Sequence, residues 1–196
     1  TGLIKSNSHW WCSGFFPGTL WYAYEATGSP KLKSYAESYT QRVADQQYTT
    51  DNHDVGFILM CSFGNGYRLT QSSSYIPILL NGAQSLSTRF KPVVGLIRSW
   101  DTKTDKWQYP VIIDNMMNLE LLEWAARHSD STKFAKIASS HAKLTMKNHF
   151  RPDFSSYHVI GYNPETGAVE KKNTHQGYAH ESAWARGQAW GLYGYT

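Results

Sequence analysis

Two aspartates stand where a loop gives way to an apolar run: Asp54 in Asp51-Asn52-His53-Asp54-Val55-Gly56-Phe57, and Asp114 in Ile112-Ile113-Asp114-Asn115-Met116-Met117-Asn118. A carboxylate at such a position can simply cap the helix that follows and complement its dipole. Asp114 has a second option. Val111, Ile112 and Ile113 precede it and Met116 and Met117 follow, so its carboxyl is expected to be partly buried. Burial raises a carboxyl pKa because the charged form loses its water, and a second carboxylate nearby raises it further. Two acids whose pKa values are pushed apart supply one proton donor at neutral pH, the arrangement on which many sugar-processing sites depend.

The segment His175-Gln176-Gly177-Tyr178-Ala179-His180-Glu181-Ser182-Ala183-Trp184-Ala185-Arg186-Gly187-Gln188-Ala189-Trp190 is dense in polar and aromatic groups. Arg186 and Trp190 share one face of a helix at this spacing, where the guanidinium can grip a carboxylate and the indole can stack on a ring. The same spacing also describes an ordinary Arg–Trp surface pair. His180-Glu181 does not open a zinc-protease signature, because position 184 is Trp and no second histidine closes the motif. There is no Gly-rich phosphate loop, no Gly-x-Ser-x-Gly elbow and no Asn-x-Ser/Thr acceptor, so phosphoryl transfer and serine-esterase chemistry are unsupported. Cys12 and Cys61 are too few for a disulfide framework, lack metal-ligand spacing and read as core thiols.

Helices must position these groups. Apolar periodicity predicts them over 14–27, 29–47, 53–69, 72–87, 114–129 and 131–149, with a later one over 182–195. Short links such as Thr27-Gly28-Ser29-Pro30 and Ser129-Asp130-Ser131 join them as antiparallel hairpins. Between the second and third hairpins, 93–97 and 108–112 alternate around Asp101-Thr102-Lys103-Thr104-Asp105 and predict a short β-excursion. A second is expected over 157–162 and 168–172, turning at Asn163-Pro164-Glu165-Thr166-Gly167. Serial helix hairpins imply a toroid around a central cavity; a solenoid uses the same local pattern, but no repeat of fixed period is evident.

The 196 residues, 41% hydrophobic, are enough to bury one core, so a single domain over 1–196 is expected. A net charge of +4 without a basic run argues against a nucleic-acid tail and is compatible with a small anionic substrate. Nothing approaches the roughly 18 apolar residues of a membrane span. Eight Trp and thirteen Tyr suit a concave site that stacks sugar rings, or a Trp-rich helical core.

Trp11-Cys12-Ser13-Gly14-Phe15-Phe16-Pro17-Gly18, Asn52-His53-Asp54-Val55-Gly56-Phe57, Ile113-Asp114-Asn115-Met116-Met117-Asn118, His175-Gln176-Gly177 and Trp184-Ala185-Arg186-Gly187-Gln188-Ala189-Trp190-Gly191 together resemble glycoside hydrolase family 88, the unsaturated glucuronyl hydrolases. The resemblance implies an all-α fold of helix hairpins, here the central portion of an (α/α)6 toroid with two short β-excursions, whose closing hairpins lie outside these residues. It implies Asp114 as catalytic acid, Asp54 as second active-site aspartate, and Trp11, Trp100, His158, Gln176, Arg186 and Trp190 as sugar contacts. It implies hydration of the C4–C5 double bond of a terminal unsaturated uronic acid on lyase-released oligosaccharides, without metal or other cofactor. The expected partner is that saccharide, not nucleic acid or membrane, in a bacterial cytoplasm or periplasm. The alternatives are an unsaturated rhamnogalacturonyl hydrolase and a non-catalytic carbohydrate-binding fragment.

Overall fold

The computed structural model describes residues 7–196. Helix α1 (Phe15–Thr27) ends on Gly28, whose φ of 66° lets its N–H cap the Tyr24 carbonyl, a left-handed conformation open to glycine. Ser29 then leads into α2 (Pro30–Gln41), with proline at the first turn, where its missing N–H is no loss. The second hairpin sets α3 (Val55–Leu59), a π-helical turn (Met60–Gly64) and α4 (Asn65–Thr70) against α5 (Ile76–Ser87). The third pairs α6 (Leu119–Arg127) with α7 (Lys133–His149), and α8 (Ala185–Tyr195) follows.

Two predicted helices are divided, one beside tertiary hydrogen bonds and one at a local side-chain contact. The span expected over 29–47 stops at Gln41 and resumes as a 3-10 helix, Ala44–Tyr48. Ser85 donates to the Gln47 carbonyl at 2.6 Å and Asn81 to the Gln47 side chain at 2.8 Å, so α5 captures groups that a continuing helix would have used. The span expected from 114 begins as a 3-10 helix, Ile113–Asn118. Its Asn118 amide donates to Asn115 at 2.9 Å, the i, i+3 contact that 3-10 geometry eclipses.

The β-excursions pair differently from expectation. Strands β1 (Phe90–Lys91) and β2 (Leu96–Ile97) form their own hairpin, turning at Gly95 with φ 75°. Strand β3 (Tyr109–Ile112) instead joins β4 (Val159–Tyr162), which pairs with β5 (Val169–Asn173) in an antiparallel sheet of order β3-β4-β5. Pro110 gives the reason. Its carbonyl accepts from the Ser99 N–H at 2.8 Å, but proline has no N–H to return on that side, so a ladder with 97–99 cannot extend.

The main core gathers Trp21, Ile58, Leu59, Phe63, Leu79, Leu86, Ile113, Met116 and Leu122 from all three hairpins. A second cluster of Val94, Leu96, Tyr109, Val111, Ile160 and Tyr162 fixes the sheet beside them. No described helix is long and apolar enough to cross a membrane.

Candidate active site

Neither aspartate acts as a helix cap. The Asp54 side chain makes no capping bond to α3, and Asp114 lies inside the first turn of a helix whose N-cap is Ile112. What joins their two helix starts is a close approach: the Gly56 N–H donates to Asn118 Oδ1 at 2.8 Å. A Cβ on Gly56 would stand 2.4 Å from that oxygen and 2.7 Å from Asn118 Cα, so only glycine admits the contact.

The Asp114 side chain is only 13% exposed, and burial pushes its carboxyl up from 3.8 to about 7. The hydrogen bond from its own backbone N–H opposes the rise, the Asp54 charge adds to it, and Arg186 and the Trp190 indole draw it down. That indole N–H completes no hydrogen bond, and Asp114 Oδ2 is buried without a partner. Near neutrality the carboxyl is therefore about half protonated, poised to give a proton or to take one back.

His158 Nε2 faces Asp114 Oδ2 at 3.7 Å. Its Nδ1 accepts from the backbone N–H groups of His175 at 3.0 Å and Gln176 at 3.1 Å. Two donors on Nδ1 require a lone pair there, so the ring proton sits on Nε2 and points toward the acid. Burial first, then the neighbouring His175, His149 and Arg186, hold the imidazole neutral, down at about 3. His53 has the opposite tautomer. Its Nδ1 lies 3.0 Å from the Ser99 carbonyl, which can only accept, so Nδ1 carries the proton. The Nε2 lone pair then faces Asp54 Oδ1 at 3.5 Å, a favourable contact only when a proton lies between them.

Aromatic rings stand in two groups around the acids. Trp190 packs on Phe57 at 5.1 Å and on Trp11 at 6.4 Å, all edge to face. Trp100, delivered by its β-bridge to Asn52, meets Trp107 at 5.9 Å, His158 at 6.4 Å and His175 at 5.5 Å. Arg186 lies between the groups, 4.2 Å over the Trp184 ring and 5.8 Å over Trp11, and donates to Gln176. Its helix reaches the Asp114 turn because Gly187 leaves room: a Cβ there would meet Ile113 at 2.9 Å and Trp184 at 2.8 Å.

All eight residues named from the sequence thus fall in one connected cluster. Those missed are His53, Phe57, Trp184 and the Asn115–Asn118 pair. His53 and Phe57 were signalled by adjacency within the Asp54 motif, the two asparagines by their spacing after Asp114, and Trp184 by its place two residues before Arg186 in the same motif. A cavity of about 570 Å³ touches Trp190 from the other side and is lined by Phe15, Tyr22, Cys61, Arg68, Glu120 and Tyr193, among others. It holds neither carboxylate of the pair. Its Glu120 is engaged by the Tyr193 hydroxyl and burial pushes its Cys61 thiol up to about 12, so it offers no carboxylate pair like that of Asp54 and Asp114. Among the described residues no three His, Cys, Asp or Glu side chains gather as metal ligands.

A half-protonated buried acid beside a second carboxylate, set among indoles and an arginine on helix hairpins, has the composition of a glycosidase-type site. The chain belongs to glycosyl hydrolase family 88, whose model matches residues 2–196. It is 47% identical over 187 residues to an unsaturated glucuronyl hydrolase of Formosa agariphila, covering 95% of this chain and 47% of that protein. It is 36% identical to an unsaturated chondroitin disaccharide hydrolase of Streptococcus agalactiae, covering 94% and 47% respectively. The structure superposes on an unsaturated glucuronyl hydrolase specific for heparin with a TM-score of 0.94 and 52% identity, covering 99% of this chain and 52% of that one. The chain therefore spans about half the length of the curated relatives it matches. The (α/α)6 toroid of these neighbours is the architecture to which its hairpins belong.

Proposed function

We propose that the protein carrying this chain hydrates the C4–C5 double bond of a terminal unsaturated uronic acid on saccharides released by polysaccharide lyases. The supporting observation is the Asp114 carboxyl held at about 7 with Asp54 adding to that rise. Asp114 donates its proton to C4 of the vinyl ether, positive charge develops at C5 and the ring oxygen, and water adds at C5 while giving up a proton to the Asp114 carboxylate. The resulting hemiketal opens and releases the remaining saccharide. Asp54 binds ring hydroxyls and holds the proton on Asp114. Arg186, paired with Gln176, takes the uronate carboxylate, and His158 offers its Nε2–H beside Asp114. The rings of Trp11, Trp100 and Trp190 stack the sugar and exclude bulk water.

The domain in which this happens is a single toroid to which residues 1–196 contribute three hairpins and α8, in a bacterial cytoplasm or periplasm. Membership of family 88 favours this substrate over the rhamnogalacturonyl alternative. The experiment is to follow the ultraviolet absorbance of the unsaturated bond in a lyase-generated disaccharide. Bleaching that depends on Asp114 is the expected result. Saturable binding without bleaching would replace the reading with that of a carbohydrate-binding protein.

A further inference from the structure

The loop that carries Trp100 into the site also carries a cation that the mechanism does not use. Lys103 is one of three non-glycine residues with positive φ among the described residues, at 60°, a conformation in which lysine is uncommon. The strained backbone aims its side chain inward, where the ammonium lies 5.1 Å from the centre of the Trp100 ring and donates to His175 Nε2. That acceptor is neutral: burial first, then Lys103 and Lys106, hold the His175 imidazole below its ordinary value. Among the described residues no carboxylate pairs with Lys103. Asp101 is taken by Arg89 at 3.0 Å and Arg98 at 3.3 Å. Lys106 adds charge of the same sign, close enough, after burial, to lower the Lys103 pKa, and Lys171 Nζ donates to the Lys106 carbonyl at 2.9 Å. A partly buried ammonium held out of line, on an indole face and without a counter-ion, is a prepared site for an anion.

The position of that anion follows from which charges reach the acid. Arg186 is near enough to Asp114 to lower its pKa, whereas Lys103 meets the site only at the Trp100 ring and His175 Nε2. Lys103 is thus a layer further out, reached through Trp100 and His175. The uronate carboxylate is attached to C5, next to the reacting bond, and falls to Arg186. An anion at Lys103 must belong to a substituent remote from C5. We propose that Lys103 recognises a sulfate ester on the saccharide and sets a preference for sulfated over unsulfated substrates. This rests on the hydration reading of the same site.

The test uses the full-length protein and unsaturated disaccharides of one backbone, either unsulfated, sulfated on the terminal uronate or sulfated on the next ring. Lys103→Asn removes the charge while keeping a residue that tolerates positive φ, and Lys103→Arg keeps the charge. The ratio of kcat/KM for the preferred sulfated substrate to that for the unsulfated one should fall about tenfold in Lys103→Asn and far less in Lys103→Arg. Added salt should erode the wild-type ratio. The position of the preferred sulfate identifies the ring that Lys103 meets. A ratio unchanged within about twofold in Lys103→Asn, or a wild-type enzyme favouring the unsulfated substrate, overturns the inference and leaves hydration standing. If wild-type protein hydrates none of the three, the hydration reading fails and calorimetric binding decides: tighter, Lys103-dependent binding of a sulfated disaccharide supports the inference, and equal affinities overturn it.

Discussion

Replacing Asp114 by Asn tests the buried acid without any substrate. Its carboxyl rises from 3.8 to about 7, which corresponds to about 4 kcal/mol of preference for the neutral form in the fold. Between these values the native state keeps a proton that the unfolded chain has released. The stability this contributes is complete below the unfolded value and is lost as pH rises through the folded one. At about pH 8 the wild-type protein therefore holds an ionised, nearly buried carboxylate, while Asp114→Asn holds a neutral group of the same shape. The variant is expected to be more stable there by about 2–4 kcal/mol, the lower figure allowing for an amide that packs less well than a protonated carboxyl. Chemical denaturation of the full-length protein at about pH 8 and about pH 4 measures the difference, which should close at the lower pH. Equal stability at both would refute the burial argument and leave Asp114 an ordinary solvated residue. The same variant should lose at least about 10²-fold in turnover with affinity largely kept.

Asp54→Asn removes a field that raises Asp114, so the alkaline limb of the pH–rate profile should move to lower pH; an unmoved limb would leave Asp54 as a sugar ligand only. Because burial is the larger cause, the limb should not fall all the way to an ordinary carboxyl value. His141, His149 and His158 are held neutral chiefly by burial, at about 3, 4 and 3, so each favours the fold fully above about 6.5 and loses that contribution as pH falls. Asp114 opposes them with one proton of opposite linkage. Wild-type stability should thus fall by on the order of 2.7 kcal/mol per pH unit between about pH 6 and pH 4, and more steeply in Asp114→Asn; a flat denaturation midpoint across that window would contradict the burial of these imidazoles in the neutral form. Gly56→Ala should cost about 1–3 kcal/mol by forcing Asn118 away, with a matching loss of activity, and undiminished stability would show that the two helix starts are not in tight contact.

The hairpins were legible because their ends are written in single residues: Gly28 stops α1, Pro30 starts α2, and no long-range contact is needed to place either. Asp114 was legible for a similar reason, its apolar flanks predicting the burial that the structure shows. His158 and Trp100 are different. They reach the acid because Ile112 pairs with Val159 and Asn52 bridges to Trp100, and strand register between segments some 50 residues apart leaves no local trace. The resemblance of whole motifs, rather than periodicity, pointed to them. The misplaced pairing of 108–112 rested on alternation alone, which identifies a strand but not its partner. Pro110 held the missing information, as a strand residue with no N–H to offer toward 97–99.

Keeping Asp114 protonated near neutrality also constrains what stands beside it. An imidazolium 3.7 Å from Oδ2 would favour the carboxylate, so a protonated Asp114 requires a neutral His158. Burial is the largest cause of that neutrality, and the chain after β5 supports it, because the His175 and Gln176 N–H groups occupy the one lone pair that a second ring proton would need. The same turn is tied by Thr174, whose hydroxyl accepts from the Gly177 N–H at 2.7 Å, and a Cβ on Gly177 would approach that hydroxyl to 2.5 Å. The short motif His175-Gln176-Gly177 therefore does three things at once. Its backbone fixes a tautomer, its Gln176 side chain orients Arg186, and its glycine lets the turn close tightly enough for both. The proton on Asp114 is held by a carboxylate on one side and by backbone amides acting through a histidine on the other, and none of these groups needs to touch the sugar to set how readily it is given up.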